Sequence, residues 1–179
     1  RSDYYIIGTQ LAESGFDFFG GSGFACPQDK NNASAPNLYD LCQENGYMLV
    51  GGYVAAKANV GAPKMLLVPA ECLADRTRGA GALPYAIDRQ EGDLSLAQIV
   101  EVAIEHLSRN ERFFMMAEGG KIDYASHGND GGTVLREVID FDNAIKLAYD
   151  FYLQHPDETL IVITSDHETG GMALGNSDY

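Results

Sequence analysis

Short apolar runs alternate with amphipathic stretches along this chain, and Gly and Pro punctuate the joins, which commits it to βα units rather than an all-β fold. Residues 16–19 run into Gly20-Gly21-Ser22-Gly23 as a short strand into a flexible turn, with residues 4–14 before it reading as a helix. The glycine spacing matches neither the P-loop nor the dinucleotide fingerprint, so the turn is read as a turn and not as a phosphate cradle. Residues 37–45 form a short helix with Leu38, Leu41 and Cys42 on one face and Gly46 at its end, and strands follow at residues 47–50 and 65–68. Residues 72–92, which hold Arg76, Arg78, Gly79, Gly81 and Pro84, read as a loop-like excursion. Ser95 and Gln98 form a capping-box signature ahead of a helix carrying Leu96, Ile99, Val100, Ala103 and Leu107. A second helical stripe runs through Val134, Val138, Phe141, Ile145, Ala148 and Tyr152, and ends before Pro156. The runs at residues 113–117 and 160–164 are so uniformly apolar that they read as buried parallel strands. The fold class is therefore α/β with a mostly parallel central sheet.

At 179 residues and 45% hydrophobic content the chain buries one sizeable core, and no stretch of about 18 apolar residues offers a membrane span. A net charge of −14 without any Lys/Arg cluster gives no electrostatic support to nucleic-acid or anionic-membrane binding. An acidic protein still binds phosphate where bound cations invert the local field. Cys26, Cys42 and Cys72 contain no C-x-x-C pair and give no disulfide framework, so three unpaired thiols is the reading. His106 and His155 are expected on the surface. A chain that starts at Arg1 without a leader is expected to be processed or cut from something longer.

The chemistry is concentrated after the two most apolar runs. Glu118, Asp123 and His127 follow residues 113–117, and the adjacent pair Asp166-His167 follows residues 160–164. In an α/β sheet, strand ends are where chemistry is placed, and a right-handed crossover puts both groups along one edge. Asp123 and His127 are four apart and share a helical face, while Gly119-Gly120 lets the backbone bend where a β-carbon would obstruct it. Each group has a plainer account alone: a strand-end Asp-His caps a turn, and Glu118, Asp123 and His127 serve as an N-cap acid, a solvated carboxylate and an exposed imidazole. Together, three carboxylates that repel one another when bare, with two imidazoles, favour a divalent-metal cluster. Two ions about 3.5–4 Å apart clamp a phosphoryl group, which points to phosphate-ester hydrolysis.

Leu107-Ser108-Arg109-Asn110, Phe113-Phe114, Glu118-Gly119-Gly120-Lys121-Ile122-Asp123 through His127, and Thr164-Ser165-Asp166-His167-Glu168-Thr169-Gly170-Gly171 resemble the alkaline phosphatases. Residues 16–23 are similar to that family's strand and glycine turn. The resemblance implies a three-layer α/β/α domain covering residues 1–179 in part, with zinc held by Asp123 and His127, a second zinc by Asp166 and His167, and magnesium by Glu118. Arg1 is similar to the family's phosphate-binding arginine. Tyr124 stands at a position that varies in the family, and Thr169 stands where some members place a histidine behind the ligands. The family's nucleophilic serine and a shared aspartate would lie upstream of this chain and a third zinc histidine downstream of Tyr179, so the chain is expected to be an internal, nearly inactive piece of a phosphomonoesterase. The resemblance also implies a phosphate monoester substrate, export to the periplasm or the cell exterior, and room for a homodimer. The competing readings are another hydrolase or mutase of the superfamily (phosphodiesterase, sulfatase-like enzyme, phosphoglycerate mutase) and a non-catalytic metal-binding domain.

Overall fold

The computed structural model describes residues 3–171; Arg1, the expected phosphate ligand, lies outside the described residues. The chain runs α1 (Tyr4–Glu13), β1 (Phe18–Gly20), α2 (Leu38–Glu44), β2 (Tyr47–Gly51), α3 (Tyr53–Ala58), β3 (Lys64–Val68), α4 (Ala70–Ala74), α5 (Leu96–Leu107), α6 (Gly120–His127) and α7 (Gly131–Gln154). The strands form a parallel sheet in the order β1-β3-β2, with Phe19 and Leu49 both in register with Leu66.

β3 is the central strand, and Met65, Leu66, Leu67 and Val68 are all buried, as a strand without polar alternation requires. Its side chains divide by parity. Leu66 and Val68 join Ala12, Phe24, Leu38, Tyr39, Cys42 and Tyr47, whereas Met65 and Leu67 join Val50, Ala56, Leu94, Ile99 and Val102. The first cluster lies between the sheet and α1 and α2, the second between the sheet and α3 and α5, so the three-layer α/β/α arrangement follows from the alternation of one strand. Local signals place the helices that cover it. The Asn37 side chain accepts the Tyr39 N–H at the start of α2, and Ser95 and Gln98 close the capping box of α5 reciprocally. Among the described residues no helix is long and apolar enough to cross a membrane, and the three cysteines are free thiols.

Two expectations are corrected. The runs at residues 113–117 and 160–164 are not strands: Phe114, Met116, Leu160 and Val162 are 82%, 80%, 87% and 74% exposed. A parallel strand needs a paired neighbour and two covered faces, and among the described residues no strand lies beside either run. The residues after them are consequently placed by α6 and by a loop packed against it rather than by the rim of the sheet. His106 is buried at 3% exposure, its ring against Phe18 and its Nδ1 3.0 Å from the Val60 carbonyl, because α5 turns that face toward β1 and the loop before β3. The residue 72–92 excursion is loop-like from Asp75 onward; its first residues close α4 and its later part is bound to α7. The expected stripe of α7 does face inward: Val134, Phe141, Ile145, Ala148 and Tyr152 are half-buried, and of the six only Val138 is exposed. Thr133, Glu137 and Ala144 are its buried residues, while Val138 is 46% exposed. Glu137 receives the Ala86 N–H at 2.6 Å and Asp140 grips Arg89, so polar anchors fasten the helix to the loop at residues 86–89.

Candidate metal centre

α6 carries the first group of candidate ligands. Gly119 precedes it where a β-carbon would come within 3.1 Å of the Phe141 ring of α7, so the absence of a side chain lets the chain turn into the helix close against its neighbour. One turn separates Asp123 from His127, whose Nε2 lies 3.6 Å from Asp123 Oδ1. Glu118, exposed, stands immediately ahead of Gly119, with its carboxyl within van der Waals reach of the space beside Gly120. The buried residues of α6 are Ala125 and Ser126, and the ligand face is open to solvent.

The second group lies on the loop that begins at Ser165. Gly170 has φ +80, and a β-carbon there would sit 2.5 Å from the Ser126 carbonyl oxygen, so the loop presses on α6 through a contact that only glycine permits. Thr169 and Gly170 line a cleft of about 200 Å³ with Ser126, Asn129 and Gly131. The Thr169 hydroxyl donates to Asp123 Oδ1 at 2.8 Å and lies 2.9 Å from His167 Nδ1. Residues 46 apart in sequence are thereby joined, and one hydroxyl links the two ligand groups.

This geometry fixes the protons of His167. Its Nδ1 is 3.0 Å from the Glu168 carbonyl, which accepts only, and the single Thr169 proton is committed to Asp123, so Nδ1 carries the hydrogen. In the neutral imidazole the lone pair then sits on Nε2, 3.4 Å from Asp166 Oδ2. An imidazole nitrogen and a carboxylate facing each other, both as acceptors, are the donor set of a divalent cation, and a carbonyl behind Nδ1 is the usual way a protein orients such a histidine. The Glu168 carbonyl, then the charges of Asp166 and, more distantly, Asp123 hold the His167 pKa above the ordinary imidazole value. The local field thus favours positive charge.

Asp123 with His127 and Asp166 with His167 form two pairs coupled through Thr169. They do not close further: among the described residues no three His, Cys, Asp or Glu side chains gather tightly enough to hold one ion. Bare carboxylates repel, and all the candidate ligands except Asp123 are exposed. The donor chemistry fits zinc and magnesium, with imidazole and carboxylate for the first and carboxylate for the second. Sequence reasoning placed Thr169 beside the ligands but not as the link between them, since that role needs the fold of the loop.

Comparison with known proteins converges on one family. The alkaline phosphatase family model matches residues 77–178. Alkaline phosphatase 4 of Bacillus subtilis is 41% identical over 96 residues, which is 53% of this chain and 21% of that protein. The repressible alkaline phosphatase of Saccharomyces cerevisiae is 41% identical over 98 residues, 50% of this chain and 17% of that protein. Among solved structures, alkaline phosphatase from the Antarctic bacterium TAB5 superposes with a TM-score of 0.74 at 28% identity, covering 97% of this chain and 48% of that one. A mutant of the TAB5 enzyme with Mg bound in the M3 site superposes with a TM-score of 0.71 at 26% identity, covering 93% of this chain and 44% of that one. The chain therefore spans about a fifth of the length of the curated relatives it matches. With the family model covering more than half of its 179 residues, and with a parallel α/β/α core of the same kind, the chain belongs to the alkaline phosphatase family.

Proposed function

We propose that the protein hydrolyses phosphate monoesters with the help of zinc and magnesium, and that this chain supplies part of the metal centre. Asp123 and His127 would hold one zinc, Asp166 and His167 the second, Glu118 the magnesium, and Arg1 the phosphate. The observation that carries the reading is the Thr169 hydroxyl between Asp123 and His167, which couples two distant sequence groups in one place. When bound, the ions supply Lewis acidity to the phosphoryl oxygens. The chain's own residues do the positioning: the Glu168 carbonyl keeps the Nδ1 proton of His167 and leaves Nε2 to donate a lone pair, and Thr169 holds Asp123 in place. The nucleophilic serine and further ligands would stand outside these 179 residues, in keeping with the 21% of its Bacillus relative that the chain spans. Turnover by the chain alone would therefore be slight. Export to the periplasm or cell exterior, and pairing of two copies, belong to the same proposal.

The test is calorimetric titration of the chain with zinc chloride, followed by Asp166→Asn with His167→Gln, and by Asp123→Asn. Zinc uptake that drops in each variant supports the reading, and uptake unchanged in both sinks it. An aryl phosphate assay is expected to give little turnover at any metal concentration; full activity of the 179 residues would overturn the claim that the nucleophile lies elsewhere.

A further inference from the structure

The geometry points to Tyr85 as a positioning residue for the metal centre: residues 85–89 act as a strap that fixes the ligand-bearing helix α6 against α7. This rests on the ligand assignment proposed above. The Lys121 ammonium, two residues before Asp123 on α6, lies 3.4 Å from the centroid of the Tyr85 ring and 5.3 Å from that of Tyr124. The next residue of the loop, Ala86, gives its N–H to Glu137 Oε1 at 2.6 Å, and Arg89 makes a two-pronged contact with Asp140 at 2.9 and 2.8 Å. Glu137 and Asp140 lie one turn apart on α7. The strap is thus fastened to α7 at two points and to α6 at a third.

The third point matters because α6 is weakly held by its own sequence. It is eight residues long, its N-cap Gly119 provides no side-chain cap, and only Ala125 and Ser126 are buried. An isolated helix of this length is marginal, so its orientation depends on what it touches. An ammonium over an aromatic face is a contact with a defined direction, and here it acts on the turn from which Asp123 projects. The contact of Tyr85 is with Lys121, which is not a candidate ligand, and its effect on the ligands passes through Lys121 and the axis of α6.

Tyr85→Leu and Tyr85→Phe separate this from mere packing. Leu keeps apolar bulk and loses the π-face, whereas Phe keeps the face, and both leave the charge of Lys121 unchanged. Two readouts are taken on the 179-residue chain: amide hydrogen exchange of residues 122–127, with α5 as the internal reference, and zinc affinity by titration against a competing chelator. Tyr85→Leu is expected to speed exchange across residues 122–127 alone and to weaken zinc binding roughly threefold to tenfold, with Tyr85→Phe restoring both. Unchanged exchange in Tyr85→Leu overturns the strap. Faster exchange with undiminished zinc affinity, or a Phe variant as impaired as the Leu variant, overturns the positioning role. If the unsubstituted chain takes up no zinc, the ligand assignment fails, and the positioning role with it, while the exchange measurement still decides whether the strap holds α6.

Discussion

Replacing Thr169 with valine keeps the outline of the side chain and deletes the hydroxyl that joins the two ligand pairs. That hydroxyl donates at 2.8 Å to Asp123 Oδ1 and accepts the Nδ1 proton of His167 at 2.9 Å. A hydrogen bond to a charged acceptor contributes roughly 1.5–3 kcal/mol when water is excluded. The Asp123 side chain is 41% exposed, so screening reduces the contribution to about 1 kcal/mol. The His167 side loses less, because its Nδ1 proton keeps the Glu168 carbonyl at 3.0 Å. With about 1.4 kcal/mol per factor of ten, zinc affinity is expected to fall about fivefold in Thr169→Val. The metal-free melting temperature is expected to fall by about 2–4 °C, as for a loss of about 1 kcal/mol in a chain of this size. Thr169→Ser, which keeps the hydroxyl, is expected to bind zinc within about twofold of the unsubstituted chain. Titration with a competing chelator and a thermal melt without metal read both quantities. Thr169→Val with full zinc affinity, or Thr169→Ser as impaired as Thr169→Val, refutes the argument that the hydroxyl couples the pairs.

Asp140→Asn breaks the grip on Arg89, whose side chain is 21% exposed and whose Nε already has no partner, so urea unfolding is expected to show a loss of about 2–3 kcal/mol. Joint replacement by Arg89→Met and Asp140→Leu is expected to cost less than the single change, and the reverse order would show that the ion pair is not what anchors the loop. Burial raises the Cys42 thiol from 9.0 to about 11 and the Tyr39 phenol from 10.0 to about 12. Both groups are therefore held neutral in the fold: their contribution is complete below the unfolded values and is lost as pH rises through the window from 9.0 to about 12. Melts across that window should show a falling Tm, with a shallower fall in Cys42→Ala, and a flat Tm refutes the assignment. Gly170→Ala adds both left-handed strain at φ +80 and a clash 2.5 Å from the Ser126 carbonyl, whereas Gly171→Ala adds strain at φ +63 with nothing within 4 Å. Zinc affinity is expected to drop more in the first variant than in the second, and equal losses in both would show that contact with α6 is not what docks the loop.

What was legible in the sequence is what short-range geometry controls. Ser95 and Gln98 announce the start of α5, Asn37 that of α2, and the spacing of Asp123 and His127 places them on one face of α6. β3 was legible because an unbroken apolar run between turns has few other stable environments. The same argument failed for residues 113–117 and 160–164, whose composition is equally apolar, because pairing is a property of the neighbour and not of the run. The polar anchors of α7 were hidden for a related reason. Its periodicity marks the inward face, but the partners that fasten it, Ala86 and Arg89, stand about fifty residues away. His106 was misjudged on the same ground, since the carbonyl that accepts it belongs to Val60. Nothing in the sequence around Tyr85 marks it as the neighbour of Lys121.

The centre inherits this division between local and distant causes. Each ligand pair is internally determined: a helical turn sets Asp123 against His127, and adjacency with a carbonyl-locked tautomer sets Asp166 against His167. What joins the pairs is concentrated in Thr169 and Gly170, one through a proton and the other through the space its missing side chain leaves over Ser126. Coupling and coordination are therefore separable by substitution. Removing a ligand should abolish a site outright, whereas altering Thr169 or Gly170 should leave both pairs intact and change only how they stand to one another. Since two ions act on one phosphoryl group only when held at a fixed separation, the proposed centre would have its geometry set at those two residues, although neither is itself a candidate ligand.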